Sequence, residues 1–396
     1  MTLAGPEGQS APDAVLEQTE RWIETLVEAI GPRRPTSLAE RTASEWLRTE
    51  LERHGVDAAL VPFRAYSTFA APYAALLALG IAPALLPRRA QVARSALACG
   101  AAALGALEDD LRLRPLSRLA ARSRSFNLVA SLEPAGETRR TLCLISHIDS
   151  SRSGLIFSAS LAPHLRRVLA GVSVALGSQG LEPLLARSRP GRWFACLARA
   201  ALAAGLALLI ERELRGVDVP GANDNASGVA LTAALATEAT ASRLGSTRLI
   251  LLVTGAEEAG LLGSDAFLRG HDTRGWLFLN FDGVAAAATL RYLPKEGLLR
   301  TWKADPALLE VARRLARRWP QLGLEAATVP AGLTYDATPV LARGGRALTI
   351  SAQDGTIPNY HRPSDDARNV DRPTLARAVE IGRELIAAID RGEADR

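Results

Sequence analysis

The run Arg248-Leu-Ile-Leu-Leu-Val-Thr254 constrains the fold more than any other stretch of this chain. It has no polar side to turn toward water, so it reads as a strand covered on both faces. Trp276–Phe281 reads as another buried strand, and Phe126–Leu132, Thr141–Ser146 and Arg346–Ser351 are further strand-like runs. Helical patterns separate most of them. That alternation predicts an α/β fold with a mostly parallel sheet sandwiched by helices.

Several of these runs end in chemistry. Thr141–Ser146 leads into His147-Ile-Asp149-Ser150, Arg248–Thr254 into Gly255-Ala-Glu257-Glu258-Ala-Gly260, and Trp276–Phe281 into Asp282-Gly283. In open α/β sheets the edge beyond the strand ends is where ligands bind. Two further segments carry candidates. Gly221–Gly228, GANDNASG, holds one carboxylate, Asp224, at the start of a helix that Ser227 is suited to cap. A late loop, Pro358-Asn-Tyr-His361-Arg-Pro-Ser-Asp365-Asp366, supplies a second histidine.

Two imidazoles and several carboxylates at one crevice suit zinc, which takes histidine nitrogen and carboxylate oxygen. Asp149 is placed to accept the second N–H of the His147 imidazole. Glu257 and Glu258 are adjacent, so their side chains diverge: one can hold metal while the other handles the proton of a water. Adjacent glutamates usually face solvent, and a lone histidine is usually structural. Here the pair sits between small residues straight after a buried strand, where a solvated charge pair is the less natural outcome.

The order HxDS, GANDNASG, AEEAGLLGS, NFDG and PNYHRPSD resembles the M28 family of co-catalytic zinc peptidases, a family with a zinc exopeptidase-like α/β fold. The N-terminal helices with their Gly-Pro-Arg-Arg turn and the block Gly332-Leu-Thr-Tyr-Asp-Ala-Thr-Pro belong to the same resemblance. It implies two zinc ions per chain, one held by His147 and Asp282, the other by Glu258 and His361, with Asp224 bridging. It also implies Glu257 as general base toward a shared water and Asp149 as the residue orienting His147. The implied activity is peptide-bond hydrolysis on a peptide or aminoacyl substrate, as an aminopeptidase. The alternatives are carboxypeptidase or aminoacyl-cyclising chemistry, or a non-catalytic receptor or scaffold domain, though such relatives tend to lose ligands or the base. One departure stands out: Tyr335-Asp336-Ala337 replaces a common Ser-Asp-His, so a histidine that contacts substrate is absent.

The rest of the chain frames this set. Asp13 to His54 predicts two amphipathic helices broken at Gly31–Pro35, the second capped by Thr36 or Ser37, followed by a strand over 56–64. Ala65–Pro87 carries no charge and is long enough for the roughly 20 residues that cross a bilayer core. After Arg88-Arg89, Ala90–Leu107 contains one charge, Arg94. Val168–Leu181 and Trp193–Ile210, the latter containing Arg199, form a second pair of apolar arms joined through Ser188–Arg192. The expected organisation is a catalytic domain built from 13–64, 125–152 and 218–396, with inserted helical hairpins at 65–124 and 153–217. The four arms suit either a membrane-associated bundle or a soluble cap over the crevice.

Met1–Gly8 shows no signal-peptide pattern and an arginine-rich stretch follows the first hairpin, which puts the catalytic domain on the cytoplasmic side, membrane-bound or soluble. The net charge of +5 comes from arginines spread along the chain without a nucleic-acid motif, which argues against nucleic acid as a partner. Cys99, Cys143 and Cys196 lie in apolar stretches without paired spacing and read as buried thiols. No feature of the sequence sets the oligomeric state.

Overall fold

Helix α1 (Ala11–Glu24) widens at its end into a π-helical stretch, Thr25–Ile30, and α2 (Leu38–Arg53) follows after the Gly31–Pro35 break. Ser37 caps α2, its hydroxyl accepting the Glu40 N–H. These elements belong to a computed structural model that describes residues 11–87, 89–185, 187–328 and 333–395. The readings that fall on Met1–Gly8, Arg88 and Gly332 lie outside the described residues.

The strands are β1 (Ala58–Ala65), β2 (Ser123–Leu132), β3 (Arg140–His147), β4 (Thr247–Thr254), β5 (Leu277–Phe281), β6 (Leu290–Tyr292), β7 (Lys295–Glu296), β8 (Trp302–Lys303), β9 (Glu325–Ala326) and β10 (Arg346–Ala352). Eight form one sheet in the order β1-β2-β4-β3-β5-β10-β6-β9, and β7 and β8 form a small ribbon. The four central strands, β4-β3-β5-β10, run parallel, while β2 enters antiparallel to β4.

Between β1 and β2 lie α3 (Ala70–Ile81), α4 (Gln91–Asp109) and α5 (Pro115–Ala120). Between β3 and β4 lie α6 (Leu165–Gln179), α7 (Glu182–Leu185), α8 (Arg189–Arg215) and α9 (Gly228–Ser242). The remaining helices are α10 (Leu262–Gly270), α11 (Pro306–Arg318), α12 (Thr338–Ala342) and α13 (Arg372–Asp390).

The continuous apolar runs are explained by burial on both faces. In β3, Leu142 and Leu144 pack with α1, α2, α9 and α13, whereas Cys143 and Ile145 pack toward α10 and α12. β4 divides likewise, Leu249, Leu251 and Val253 on one side and Ile250 and Leu252 on the other. Successive side chains of a strand point to opposite faces, so both positions need apolar residues here.

Helices α3, α4, α6 and α8 pack on one another around a separate apolar cluster that includes Leu76, Leu77, Leu176 and Leu202. Arg94 and Arg199, the two charges in the apolar arms, converge on one carboxylate: Glu182 of α7 lies 2.6 Å from Arg94 and 3.1 Å from Arg199. Arg34 and Arg212 meet on Glu213, with Thr68 donating to the same carboxylate, so the ends of the helical segments are tied to the Gly31–Pro35 turn.

Several local expectations are corrected. The uncharged run from Ala65 yields only the short apolar helix Ala70–Leu85, its last turn 3-10 with Pro83 near the start of that turn. Ser188–Arg192 is not a loop but the first turn of α8, with the Ser188 hydroxyl accepting the Gly191 N–H. β2 and β3, consecutive in the chain, are not neighbours in the sheet, where β4 lies between them. Cys143 is buried, but Cys99 and Cys196 are exposed. They lie beside a buried small-residue stripe, Ala98 and Ala101 in α4 and Ala195 and Ala198 in α8, and so point outward.

Candidate metal centre

The parallel register sets the first two side chains. Ile145 of β3 is level with Asn280 of β5, so His147 and Asp282, two residues further along each strand, leave the sheet side by side. Their Nε2 and Oδ2 atoms are 3.5 Å apart. β4 is level with β3 at Thr254, and the turn beyond it brings Glu257 Oε2 within 4.0 Å of His147 Nε2.

Asp224 reaches the same point from the GANDNASG loop. Its Oδ1 is 3.2 Å from His147 Nε2 and its Oδ2 is 3.3 Å from His361 Nε2. His361 Nε2 is also 3.1 Å from Glu258 Oε2. Two triads therefore share one carboxylate: His147, Asp282 and Asp224, and Asp224, Glu258 and His361, each with ligand atoms within 4.8 Å of one another. Every one of these side chains is buried.

The glycines and asparagines of the motif hold this loop in place. Gly221 has φ +64°, and a Cβ there would lie 2.5 Å from the Asp224 carbonyl oxygen. A Cβ on Gly228 would meet the Phe281 carbonyl oxygen at 2.2 Å, so the α9 N-terminus can abut the end of β5 only as glycine. Asn225 Oδ1 accepts the N–H groups of Gly228 and Gly283, and its amide donates to the Phe281 carbonyl. Asn225 thus serves the start of α9. Ser227, expected in that role, instead donates to the Asn223 carbonyl and accepts the Val284 N–H.

Asp149 also acts differently from expectation. The His147 Nδ1–H donates to the main-chain carbonyl of Asp149 at 3.1 Å, while the Asp149 carboxylate is 3.7 Å away. That carboxylate instead accepts the N–H groups of Glu257 and Glu258, at 3.1 and 2.9 Å. It orients the two glutamates through their backbone, and His147 through its own.

Three supports went unread in the sequence. Asp365 accepts the N–H groups of Asn223 and Asp224, and burial raises its pKa to about 7. Arg33, in a turn that reads as scaffold, is fully buried and donates to the carbonyls of Leu26, Gly31, Ile148, Pro220 and Gly221. It clamps the segments carrying His147 and Asp224, and burial lowers its pKa to about 10. Glu40 accepts the N–H groups of Thr36 and Ala256 and fixes the turn before Glu257. Its signal was the Ser37-x-x-Glu40 spacing of a helix start, which pointed to capping and not to the site.

Ala337, where the family resemblance implies a histidine, is fully buried beside Val340 and Leu341. Tyr335 next to it is buried and accepts from the Gln353 amide.

The electrostatics call for a cation. Burial raises the Glu257 carboxyl well above its usual range, against the pull of His147, and raises Asp282 to about 6. Burial opposes charge on both imidazoles. Glu257 and Asp282 nevertheless lift His147 well above its ordinary value, and Glu258 and Asp224 lift His361 to about 9. Asp224 is also disfavoured by burial, yet hydrogen bonds from both histidines hold it well below the carboxylate range. Four buried carboxylates around two imidazoles form a set that divalent metal compensates. Glu258 Oε1 is buried without a hydrogen-bond partner, as a ligand oxygen would be. Nitrogen and oxygen donors of this kind fit zinc.

Residues 209–386 match peptidase family M28. The stretch that carries Asp224, Glu257, Glu258, Asp282 and His361 is thus similar to that family. The fold agrees with solved structures of low identity. It is 14% identical to the zinc aminopeptidase BSAP from Bacillus subtilis, with a TM-score of 0.56 over 94% of this chain and 95% of that one. It is 15% identical to an aminopeptidase from Aneurinibacillus sp. strain AM-1, TM-score 0.55, covering 94% and 93%. It is 16% identical to Tannerella forsythia glutaminyl cyclase, TM-score 0.53, covering 94% and 98%. No curated protein matches the chain.

Proposed function

We propose that the chain is an aminopeptidase loaded with two zinc ions, one on His147 and Asp282, one on Glu258 and His361, with Asp224 shared. The observation that carries this reading is the pair of Asp224 oxygens, each facing a different histidine at 3.2 and 3.3 Å. Zinc bound there would supply Lewis acidity toward the scissile carbonyl and lower the pKa of the attacking water. Glu257 lies in neither of the triads that share Asp224, although it also groups with His147 and Glu258, and it is the general base. Its Oε2 takes the proton as the water oxygen bonds to the carbonyl carbon, then delivers it to the leaving amine nitrogen as the C–N bond breaks. Asp149 positions Glu257 and Glu258 through their N–H groups.

The deciding experiment is metal analysis joined to a panel of aminoacyl amides, run on wild type and Asp224→Ala. Wild type is expected to hold two zinc ions and release free amino acid. Asp224→Ala should lose both metals, and full occupancy in that variant would refute the shared ligand. The panel includes a glutaminyl substrate, since glutaminyl cyclases are among the structures this fold resembles. Cyclised product without hydrolysis would move the assignment to that chemistry.

The organisation we propose keeps 13–64, 125–152 and 218–396 as the catalytic domain and treats 65–124 and 153–217 as insertions whose helices seat the enzyme on the cytoplasmic side of a membrane. By length and composition α8 is, among the described residues, the one helix able to cross a bilayer. Its first half exposes Trp193, Phe194 and Leu197 beside Arg189 and Arg192, a pairing of apolar and basic groups suited to an anionic lipid surface.

A further inference from the structure

A cavity of about 220 Å³ opens at Glu257, Glu258 and His361 and runs away from them into the helical bundle. Its deeper walls are Tyr73 and Leu77 of α3, Val168 and Val172 of α6, and Leu209 of α8. An aromatic path leads inward from the metal centre. Phe157 meets the His361 ring at 4.4 Å, Phe69 follows at 6.5 Å, and Tyr73 follows Phe69 at 6.5 Å. Arg94 and Arg199 are engaged on Glu182, while Arg212, paired with Glu213 and Thr68, lays its guanidinium over the Phe69 ring at 4.4 Å. The lumen also depends on a glycine. A Cβ on Gly205 of α8 would stand 3.2 Å from Leu77 Cδ1, and any larger side chain there would project into the space.

We infer that this slot binds a long apolar chain attached on the carbonyl side of the scissile amide, so that the preferred substrates are aminoacyl amides with a long aliphatic side chain. The inference rests on the hydrolytic reading of the metal centre. An apolar cavity of about 150 Å³ stays dry and holds a benzene ring. By the same ratio this one admits roughly nine carbons. The chain must start beside the scissile carbonyl, because the mouth of the slot is formed by Glu257, the proton acceptor, and by the Glu258–His361 pair. The walls come from helices of two separate chain segments, so selection by length is a property of the bundle and not of the sheet.

The test is a series of aminoacyl p-nitroanilides with methyl, isobutyl, hexyl, octyl, decyl and dodecyl side chains, assayed on the full chain. The expected result is a kcat/KM that climbs by up to about fourfold per methylene and levels off near nine carbons. Gly205→Leu should collapse the octyl-to-methyl ratio, and Leu77→Ala should move the plateau to longer chains. A second readout needs no turnover: displacement of bound 1-anilinonaphthalene by n-alkyl amides of rising length. Hydrolysis with a flat length profile, or a ratio unchanged in Gly205→Leu, would overturn the slot. Graded displacement without hydrolysis of any member would keep the slot and sink the peptidase assignment instead.

Discussion

The sheet and the helical bundle bury apolar surface in opposite ways. β3, β4 and β5 are covered on both faces, and their side chains interleave with helices on each side. The bundle hides a narrow stripe and leaves Val92, Trp193, Leu197 and Leu214 more than half exposed. The difference separates two tasks. A strand register with no freedom to slip fixes His147 level with Asp282. A bundle of small-residue helices leaves a cavity that opens at Glu257, Glu258 and His361.

The comparison is broken most severely at Glu257. Glu257→Gln keeps the shape and removes the base, so activity on every aminoacyl amide should fall about 10²–10⁴-fold while zinc content stays at the wild-type level. A loss of zinc together with activity would transfer the ligand role to Glu257.

A smaller effect tests whether the sheet side alone carries the pH response of stability. Glu296 is buried, accepting hydroxyls from Thr338 and Thr349, and burial raises its carboxyl from 4.5 to about 7. Between those values the folded chain keeps a proton that the unfolded chain releases. Its contribution is therefore complete below about pH 4.5 and is lost as pH rises through 7, by on the order of 3 kcal/mol. Denaturant titrations of metal-stripped protein from pH 4.5 to 8 should show that decline on top of those of Asp282 and Asp365, and Glu296→Gln should make it shallower. An equal slope in the variant would remove Glu296 as the source.

The smallest expected effect lies on the outer face of the bundle. Trp193→Ser with Leu197→Ser changes two exposed side chains, so folding stability should stay within about 0.5 kcal/mol. Affinity for vesicles rich in anionic lipid should drop about tenfold or more, and carbonate-resistant protein should shift to the soluble fraction. Wild type that never sediments with membranes would leave the bundle as a cap alone.

How much was legible follows from which interactions are local. GANDNASG announced a constrained turn because two glycines and two asparagines there serve contacts a few residues away or at one strand end. The apolar runs announced buried strands, and the residues just past them announced the crevice. Arg94 and Arg199 could be seen as charges stranded in apolar arms, but Glu182, 88 residues from Arg94, could not be named as their common partner. Arg33 was hidden for the same reason: its acceptors are carbonyls, which every residue carries, up to 188 positions away.

By itself the sequence determined the strand periods, the turn chemistry and the supply of histidines and carboxylates at the strand ends, because these depend on side-chain type and short spacing. Only the tertiary structure decided that Asp224 faces both histidines, that the Asp149 carboxylate serves two backbone N–H groups, and that helices from two distant segments enclose an apolar slot at the site. Those are matters of direction and distance between residues far apart in the chain, which are settled when the sheet register and the helix packing are in place.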